Sequence, residues 1–285
     1  MNSPVREPAG NPSSKKRCHT KDSMEMRILT TAIFLLCLVS TAFSQLPAPN
    51  AAGVSMGHYH LNVRDLEAHR AFWTALGGTM VKLGEMQIVK FPDVLVLYRK
   101  AEPTGGTDGS VIGHIGFRVK DLHASLDKWR AAGLKVVPGA SPHQAFVIAP
   151  DEIRIEIAED PSLAVPIANH HIHFFTGSVA DTKAWYVKMF DAKPGKRGPF
   201  EAADLPGVNL TLSQAAGAVA STKGRALDHI GFEVRDLEAF CRNLEAAGVK
   251  FDVPYRNIPA LNLSIAFLTD PWGTYIELTE GLNRL

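Results

Sequence analysis

The chain has 285 residues, 46% of them hydrophobic and 21% charged, a composition typical of a globular protein rather than a disordered or fibrous one. The 30 lysines and arginines nearly balance the 29 aspartates and glutamates, which leaves a formal net charge of +1. No basic field is present to neutralise nucleic-acid phosphates. We therefore expect no nucleic-acid partner.

The first 44 residues are typical of a secretory signal peptide. A charged segment precedes an apolar run from 28 to 39, and a small-x-small cleavage site ends at Ser44. The run is shorter than a membrane-spanning helix requires. We expect a secreted or periplasmic protein with no membrane association after cleavage. The segment before the apolar run is unusually long, so translation from a later methionine, Met24 or Met26, stays open.

One unit of about 55 residues then recurs four times. The units open with His58-Tyr-His-Leu-Asn-Val63, His114-Ile-Gly-Phe-Arg-Val119, His171-Ile-His-Phe-Phe-Thr176 and His229-Ile-Gly-Phe-Glu-Val234. Two of them continue into the same hexapeptide, Val63-Arg-Asp-Leu-Glu-Ala68 and Val234-Arg-Asp-Leu-Glu-Ala239. A period of this kind indicates repetition of one supersecondary unit.

Each unit predicts a strand, a helix and three further strands. The alternating opening segment favours a strand, and an aspartate after it favours a helix N-terminus in three units. These aspartates are Asp65, Asp121 and Asp236, and the corresponding helices are predicted to end at Gly77, Gly133 and Gly248. In the third unit, Asp181 and Trp185-Tyr186 mark a helix that ends without glycine. The sequence therefore predicts an α+β fold of four βαβββ modules.

A single module cannot close its own core, because its strands form an open, curved sheet with an apolar helix outside it. Two modules placed side by side bury the helices and enclose a cleft. We expect pairing in chain order, which gives a first paired domain at 52–160, a linker at 161–166 and a second paired domain at 167–283. The same pairing between modules of two chains would give a homodimer.

This pattern resembles the vicinal oxygen chelate superfamily, which includes glyoxalase I, fosfomycin and bleomycin resistance proteins and extradiol ring-cleavage dioxygenases. The resemblance covers nearly all of the chain beyond the signal peptide. It implies two open-barrel domains and a divalent metal in a cleft, with one or both clefts occupied. Four modules in one chain is the arrangement of the extradiol dioxygenases in particular.

A histidine at the same register opens every module, and a carboxylate closes the second and fourth. The closing segments are Phe146-x3-Pro150-x5-Glu156 and Phe267-x3-Pro271-x5-Glu277. Two imidazoles and one carboxylate bind a divalent metal on one face and leave other positions open. By the resemblance, this role falls on His171, His229 and Glu277 in one half and on His58, His114 and Glu156 in the other. We expect Fe(II) or Mn(II), with Zn or Ni as alternatives.

Three more side chains are candidates for roles beside the metal. His60 and His173 lie two residues after opening histidines and share their strand face, so each is a candidate acid/base or an alternative ligand. Tyr275 shares a strand face with Glu277 and is predicted to donate a hydrogen bond to a substrate oxygen. His173 and Tyr275 are therefore the predicted catalytic residues.

The favoured function is an exported, metal-dependent, extradiol-type dioxygenase that acts on a small oxygen-chelating substrate. Two features depart from the extradiol pattern: Phe267 stands where those enzymes have tyrosine, and residues 257–260 contain no histidine. A glyoxalase-type lyase or isomerase is the first alternative, although no second carboxylate is evident as its base. A non-catalytic small-molecule-binding or resistance module is the second.

Overall fold

The computed structural model describes residues 46–285, so the predicted signal peptide lies outside the described residues. Module 1 comprises β1 (Val54–Val63), α1 (Leu66–Leu76), β2 (Thr79–Leu83), β3 (Met86–Phe91) and β4 (Val94–Lys100). Module 2 comprises β5 (Ile112–Val119), α2 (Leu122–Ala131), β6 (Lys135–Pro138), β7 (Gln144–Ala149) and β8 (Ile153–Glu159). Module 3 comprises β9 (Ile167–Thr176), α3 (Val179–Phe190), β10 (Lys193–Arg197), β11 (Phe200–Leu205) and β12 (Val208–Gln214). Module 4 comprises β13 (Leu227–Val234), α4 (Leu237–Ala246), β14 (Phe251–Ile258), β15 (Leu263–Thr269) and β16 (Tyr275–Glu280). The predicted α+β class and the four βαβββ modules are confirmed.

The helices begin where the sequence places an aspartate. The side chains of Asp65, Asp121 and Asp236 each accept a hydrogen bond from a backbone N–H in the first turn of α1, α2 and α4. The glycines that follow these helices, Gly77, Gly133 and Gly248, all have positive φ. Helix α3 instead ends at Asp191, which adopts the left-handed conformation with φ of 53°.

The sixteen strands of residues 46–285 form two open sheets of eight strands each. The first sheet runs β14-β15-β16-β13-β1-β4-β3-β2, and the second runs β10-β11-β12-β9-β5-β8-β7-β6. Strand β1 lies antiparallel to β13, and β5 lies antiparallel to β9. Module 1 therefore shares a sheet with module 4, and module 2 shares a sheet with module 3.

This pairing corrects the expectation that modules pair in chain order as 52–160 and 167–283. The segment 161–166, predicted to separate two domains, instead joins β8 to β9 within one sheet. Strand β8 is parallel to β5 and β9 is antiparallel to it, so the chain leaves one strand and enters the other at the same end of β5. A short connection suffices for this reversal of direction. The connections between the sheets are the longer segments 101–111 and 215–226.

One large hydrophobic core contacts both sheets, and a smaller separate cluster lies within the first sheet. In module 1, Trp73 of α1 contacts Phe91, and the Phe91 ring lies 5.0 Å from the ring of Phe117 in module 2. The buried hydroxyl of Tyr59 donates to Asn169 Oδ1 at 2.8 Å, which links β1 of the first sheet to β9 of the second. Because side chains alternate along a strand, the neighbours of Tyr59 on β1, His58 and His60, face away from this core.

Candidate metal centres

Strand register brings four side chains of the first sheet together. His60 lies opposite His229 in the β1–β13 pair, while Gly231 lies opposite both His58 and Glu277. We call His58, His60, His229 and Glu277 the first centre. One nitrogen or oxygen of each lies within 4.8 Å of those of the other three. Three of the four are buried, and His60 is half-buried.

The second sheet repeats this arrangement. Gly116 lies opposite both His171 and Glu156, and His114 lies opposite His173. We call His114, Glu156, His171 and His173 the second centre, which is buried throughout. Its candidate ligand atoms also lie within 4.8 Å of one another.

The structure regroups the predicted ligands. Each of the six lies in a centre, but His171 belongs with His114 and Glu156, whereas His58 belongs with His229 and Glu277. The predicted triads each contained one histidine from the wrong centre. The cause is the module pairing, because a centre forms only where two modules share a sheet.

The first centre has the spacing of a metal-binding set. The Nε2 atoms of His58 and His229 lie 2.9 and 3.0 Å from the same oxygen, Oε2 of Glu277. Ligand atoms about 2.1 Å from an ion are about 3 Å apart at adjacent corners of an octahedron. His58 Nδ1 and His60 Nε2 are buried without a hydrogen-bond partner. A divalent transition metal fits this donor set, and it would relieve the unsatisfied Nε2 of His60.

Asp228 orients the imidazole of His229 in the first centre through the ring nitrogen that does not face Glu277. Its Oδ2 lies 2.7 Å from His229 Nδ1, while its Oδ1 accepts from Asn62 Nδ2 at 2.9 Å and from Gly224 N at 2.7 Å. A carboxylate on the far nitrogen sets the tautomer in which Nε2 offers its lone pair to a metal. Asp228 is not among the residues predicted from the sequence, although an acid directly before the candidate ligand His229 is a usable signal.

Electrostatics keeps the carboxylate of the first centre ionised. Burial alone would raise the pKa of Glu277, but hydrogen bonds with His229 and His58 outweigh it and hold the pKa well below its ordinary value. Burial would likewise lower the pKa of His229, yet Asp228 and Glu277 raise it. Burial, followed by the neighbouring His229 and His58, lowers the pKa of His60 to about 3, so this imidazole is neutral at pH 7.

The second centre carries a competing cation. His114 Nε2 lies 2.9 Å from Glu156 Oε2, but His171 Nε2 is 3.6 Å from that oxygen. Arg197 Nη1 lies 3.3 Å from Glu156 Oε1 and partly neutralises the carboxylate. Arg197 is the last residue of β10 in module 3. The last residue of the corresponding strand β2 in module 1 is Leu83, which is apolar. Arg197 is not predictable from the sequence, because no local pattern connects it to Glu156.

The two centres also differ in the residues that contact their candidate ligand histidines. Gly113 precedes His114 where Asp228 precedes His229, so the second centre lacks the orienting carboxylate. His173 Nδ1 instead lies 3.2 Å from His114 Nε2, and its Nε2 lies 2.8 Å from Ser213 Oγ. Burial and the neighbouring His114 lower the pKa of His173 to about 3. The first centre is thus the better metal site.

The structure places the two predicted catalytic residues in different centres. His173 lies in the second centre. Tyr275 lies at the rim of the first, where its ring is 5.6 Å from that of His229 and stacks on Phe267 at 5.3 Å. Burial raises the pKa of Tyr275 to about 12, and Lys223 Nζ lies 4.3 Å from its ring centroid. His173 and Tyr275 therefore do not face the same substrate site.

None of the helices in residues 46–285 is long and apolar enough to span a membrane.

A search of curated protein sequences gave no match. Among solved structures, glyoxalase I from Zea mays is similar at 18% identity and a TM-score of 0.65, over 81% of this chain and 94% of that one. A candidate dioxygenase from Bacillus subtilis strain 168 is similar at 13% identity and a TM-score of 0.59, over 83% of this chain and 86% of that one. At these identities the similarity shows the fold.

The family comparison is more specific. The model of the Glyoxalase/Bleomycin resistance protein/Dioxygenase superfamily matches residues 55–157 and again 168–278. Each match spans two successive modules, and together they cover most of the chain. The chain therefore belongs to the Glyoxalase/Bleomycin resistance protein/Dioxygenase superfamily.

Proposed function

We propose that the chain is an exported metal-dependent enzyme whose reaction takes place at the first centre, with extradiol-type dioxygenation as the favoured reaction. The observation that supports this most directly is the convergence of His58 Nε2 and His229 Nε2 on Oε2 of Glu277. Two imidazoles and one carboxylate are the ligands of non-haem Fe(II) oxygenases. We favour Fe(II) or Mn(II) over Zn or Ni.

When bound, the cation would act as a Lewis acid toward a small substrate that offers two adjacent oxygen atoms. The side chains around it then define how that substrate lies. Phe267 and Tyr275 stack on each other beside His229 and form an aromatic wall. The Tyr275 hydroxyl is the candidate hydrogen-bond donor at this wall. His60 Nε2, which has no hydrogen-bond partner, is the candidate acceptor of a hydrogen bond from a substrate hydroxyl.

His60 also favours a second candidate, a glyoxalase-type lyase or isomerase. If His60 ligates the metal, four protein side chains surround it and fewer positions stay open for a substrate and dioxygen together. Such a site suits Zn or Ni and proton transfer without oxygen. The metal and the consumption of oxygen distinguish the two candidates.

The test is elemental analysis of untagged protein, followed by oxygen uptake and detection of a ring-opened product with a panel of catechols and Fe(II). We expect about one tightly held Fe or Mn per chain. Glu277→Gln should lose that metal and oxygen uptake, whereas the matched variant of the second centre, Glu156→Gln, should retain both. Metal-loaded protein that consumes no oxygen with any catechol would reject the dioxygenase assignment.

The remaining outcomes are also informative. Bound Zn or Ni with turnover of a 2-oxoaldehyde–thiol adduct would support the second candidate. Protein that binds no metal under any condition would reject both enzyme assignments. Export is tested separately by sequencing the N-terminus of the protein recovered outside the cytoplasm, where we expect the mature chain to begin at Gln45.

A further inference from the structure

A cavity of about 420 Å³ opens beside the second centre. His114 forms part of its wall, together with Phe146, Phe175, Arg154 and the small residues of the segment 215–219. This volume suits a small organic molecule. The wall joins one candidate metal ligand to apolar surface and to a single cationic side chain.

Arg154 is the distinctive residue of this cavity. Within residues 46–285 its guanidinium has no ion-pair partner, and its Nε is buried without a hydrogen bond. Its Cζ lies 4.7 Å from the ring centroid of Phe146, which holds the guanidinium over an aromatic face. Asp108 also lines the cavity, but it is exposed and forms no ion pair with Arg154. A half-buried guanidinium with no ion-pair partner, at the wall of an apolar cavity, is placed to pair with an anionic ligand there.

The position of Arg154 fixes where the anion lies. Arg154 and Glu156 are two residues apart on β8, so their side chains share one face and their Cα atoms are about 6.6 Å apart. A ligand bound to Arg154 therefore reaches toward His114 with its other end. In module 4 the matching position is occupied by Tyr275, so the first centre offers no guanidinium at this place.

We propose that this cavity binds a small aromatic carboxylate, whose carboxylate group pairs with the guanidinium of Arg154 and whose ring contacts Phe146 and Phe175. The planar fork of arginine matches the two oxygens of a carboxylate and can bind both. The two phenylalanine rings and the small residues 215–219 provide the apolar surface for a flat body. This site lies outside the first centre, so it does not depend on the reaction proposed there.

The test is calorimetric titration of chelator-treated protein with benzoate, and with benzamide as a neutral molecule of nearly the same shape. We expect about one benzoate per chain and much weaker binding of benzamide. Arg154→Gln should weaken benzoate binding at least about tenfold, the loss of a charge-assisted contact, while Arg154→Lys should recover part of it. The matched control Arg242→Gln, which removes an equal charge from an exposed helix site, should bind as the wild type does.

Equal affinity of the wild type and Arg154→Gln for benzoate would overturn the proposal, as would equal affinity of the wild type for benzoate and benzamide. The benzamide comparison needs no variant, so it decides the matter even if Arg154→Gln does not fold. Metal content is measured on the same preparations before chelation. A protein that binds metal but not benzoate would refute this inference alone, and one that binds benzoate but no metal would refute the enzyme assignment alone.

Discussion

The imidazole of His58 occupies the space that a side chain at Gly231 would need. A Cβ atom at Gly231 would lie 2.0 Å from His58 Cε1, well inside van der Waals contact. Gly116 stands in the same relation to His171 in the second centre, also at 2.0 Å. In each centre the absence of a side chain on one strand leaves room for a candidate ligand histidine on the neighbouring strand.

Gly231→Ala should therefore displace His58 and reduce the metal content of the first centre. Overpacking of this kind costs about 1–3 kcal/mol of unfolding free energy. The measurements are metal stoichiometry and thermal unfolding. The control is Gly177→Ala, because a Cβ at Gly177 has no atom within 4 Å. An alanine at 231 that leaves metal binding intact would show that His58 is not a ligand.

Asp228→Asn should weaken metal binding at the first centre by about 10- to 100-fold. The asparagine amide would donate to His229 Nδ1 and favour the tautomer whose Nε2 carries a hydrogen and has no lone pair for the metal. The measurement is a competition titration against a chromophoric chelator. Asp127→Asn, at an exposed position on α2, is the matched control. Unchanged affinity would exclude an orienting role for Asp228.

Arg197→Met should strengthen metal binding at the second centre by about tenfold, because Glu156 loses a charged partner worth about 1.5 kcal/mol. The titration is made in the Glu277→Gln background, so that only the second centre contributes. Lys196→Met removes an equal charge from the neighbouring exposed residue and should change little. Weaker binding in Arg197→Met would mean that the arginine supports the centre rather than competing with the metal.

Glu233 gives a prediction for the pH dependence of stability. Its Oε1 accepts from Gly281 N and Asn283 N and its Oε2 from Thr279 Oγ1, but burial outweighs these bonds and raises its pKa. Because this pKa is raised in the folded state, the folded chain binds the proton of Glu233 more tightly than the unfolded chain does. The stability that this proton contributes is therefore lost as pH rises from about 4.3 through the raised value. Glu233→Gln removes this dependence while keeping the hydrogen-bond pattern.

Urea unfolding across this pH range measures the effect. The unfolding free energy of the wild type should fall relative to that of Glu233→Gln as pH rises. Glu245→Gln, on the exposed face of α4, should show no such trend. A difference between wild type and Glu233→Gln that is independent of pH, or that grows in favour of the wild type, would contradict the raised pKa.

Contacts between residues that are close in the sequence can be predicted from the sequence. Asp65, Asp121 and Asp236 cap helices because a short side-chain oxygen reaches the first free N–H groups, a contact made within three residues. The candidate ligand histidines can be predicted as well, since the alternation of side chains places them on one face of their strands. Arg197 cannot be, because its contact with Glu156 joins residues 41 positions apart.

The amino-acid sequence by itself determined the module, its fourfold repetition and the histidines and glutamates that are the candidate ligands of the two centres, because these depend on period and on side-chain type. The tertiary structure alone decided which modules share a sheet, and hence that His58 meets His229 while His171 meets His114. All four modules have nearly the same pattern, so any of them offers a compatible edge to any other. The choice depends on the length and direction of the connections and on the common core between the sheets, which are properties of the assembled chain.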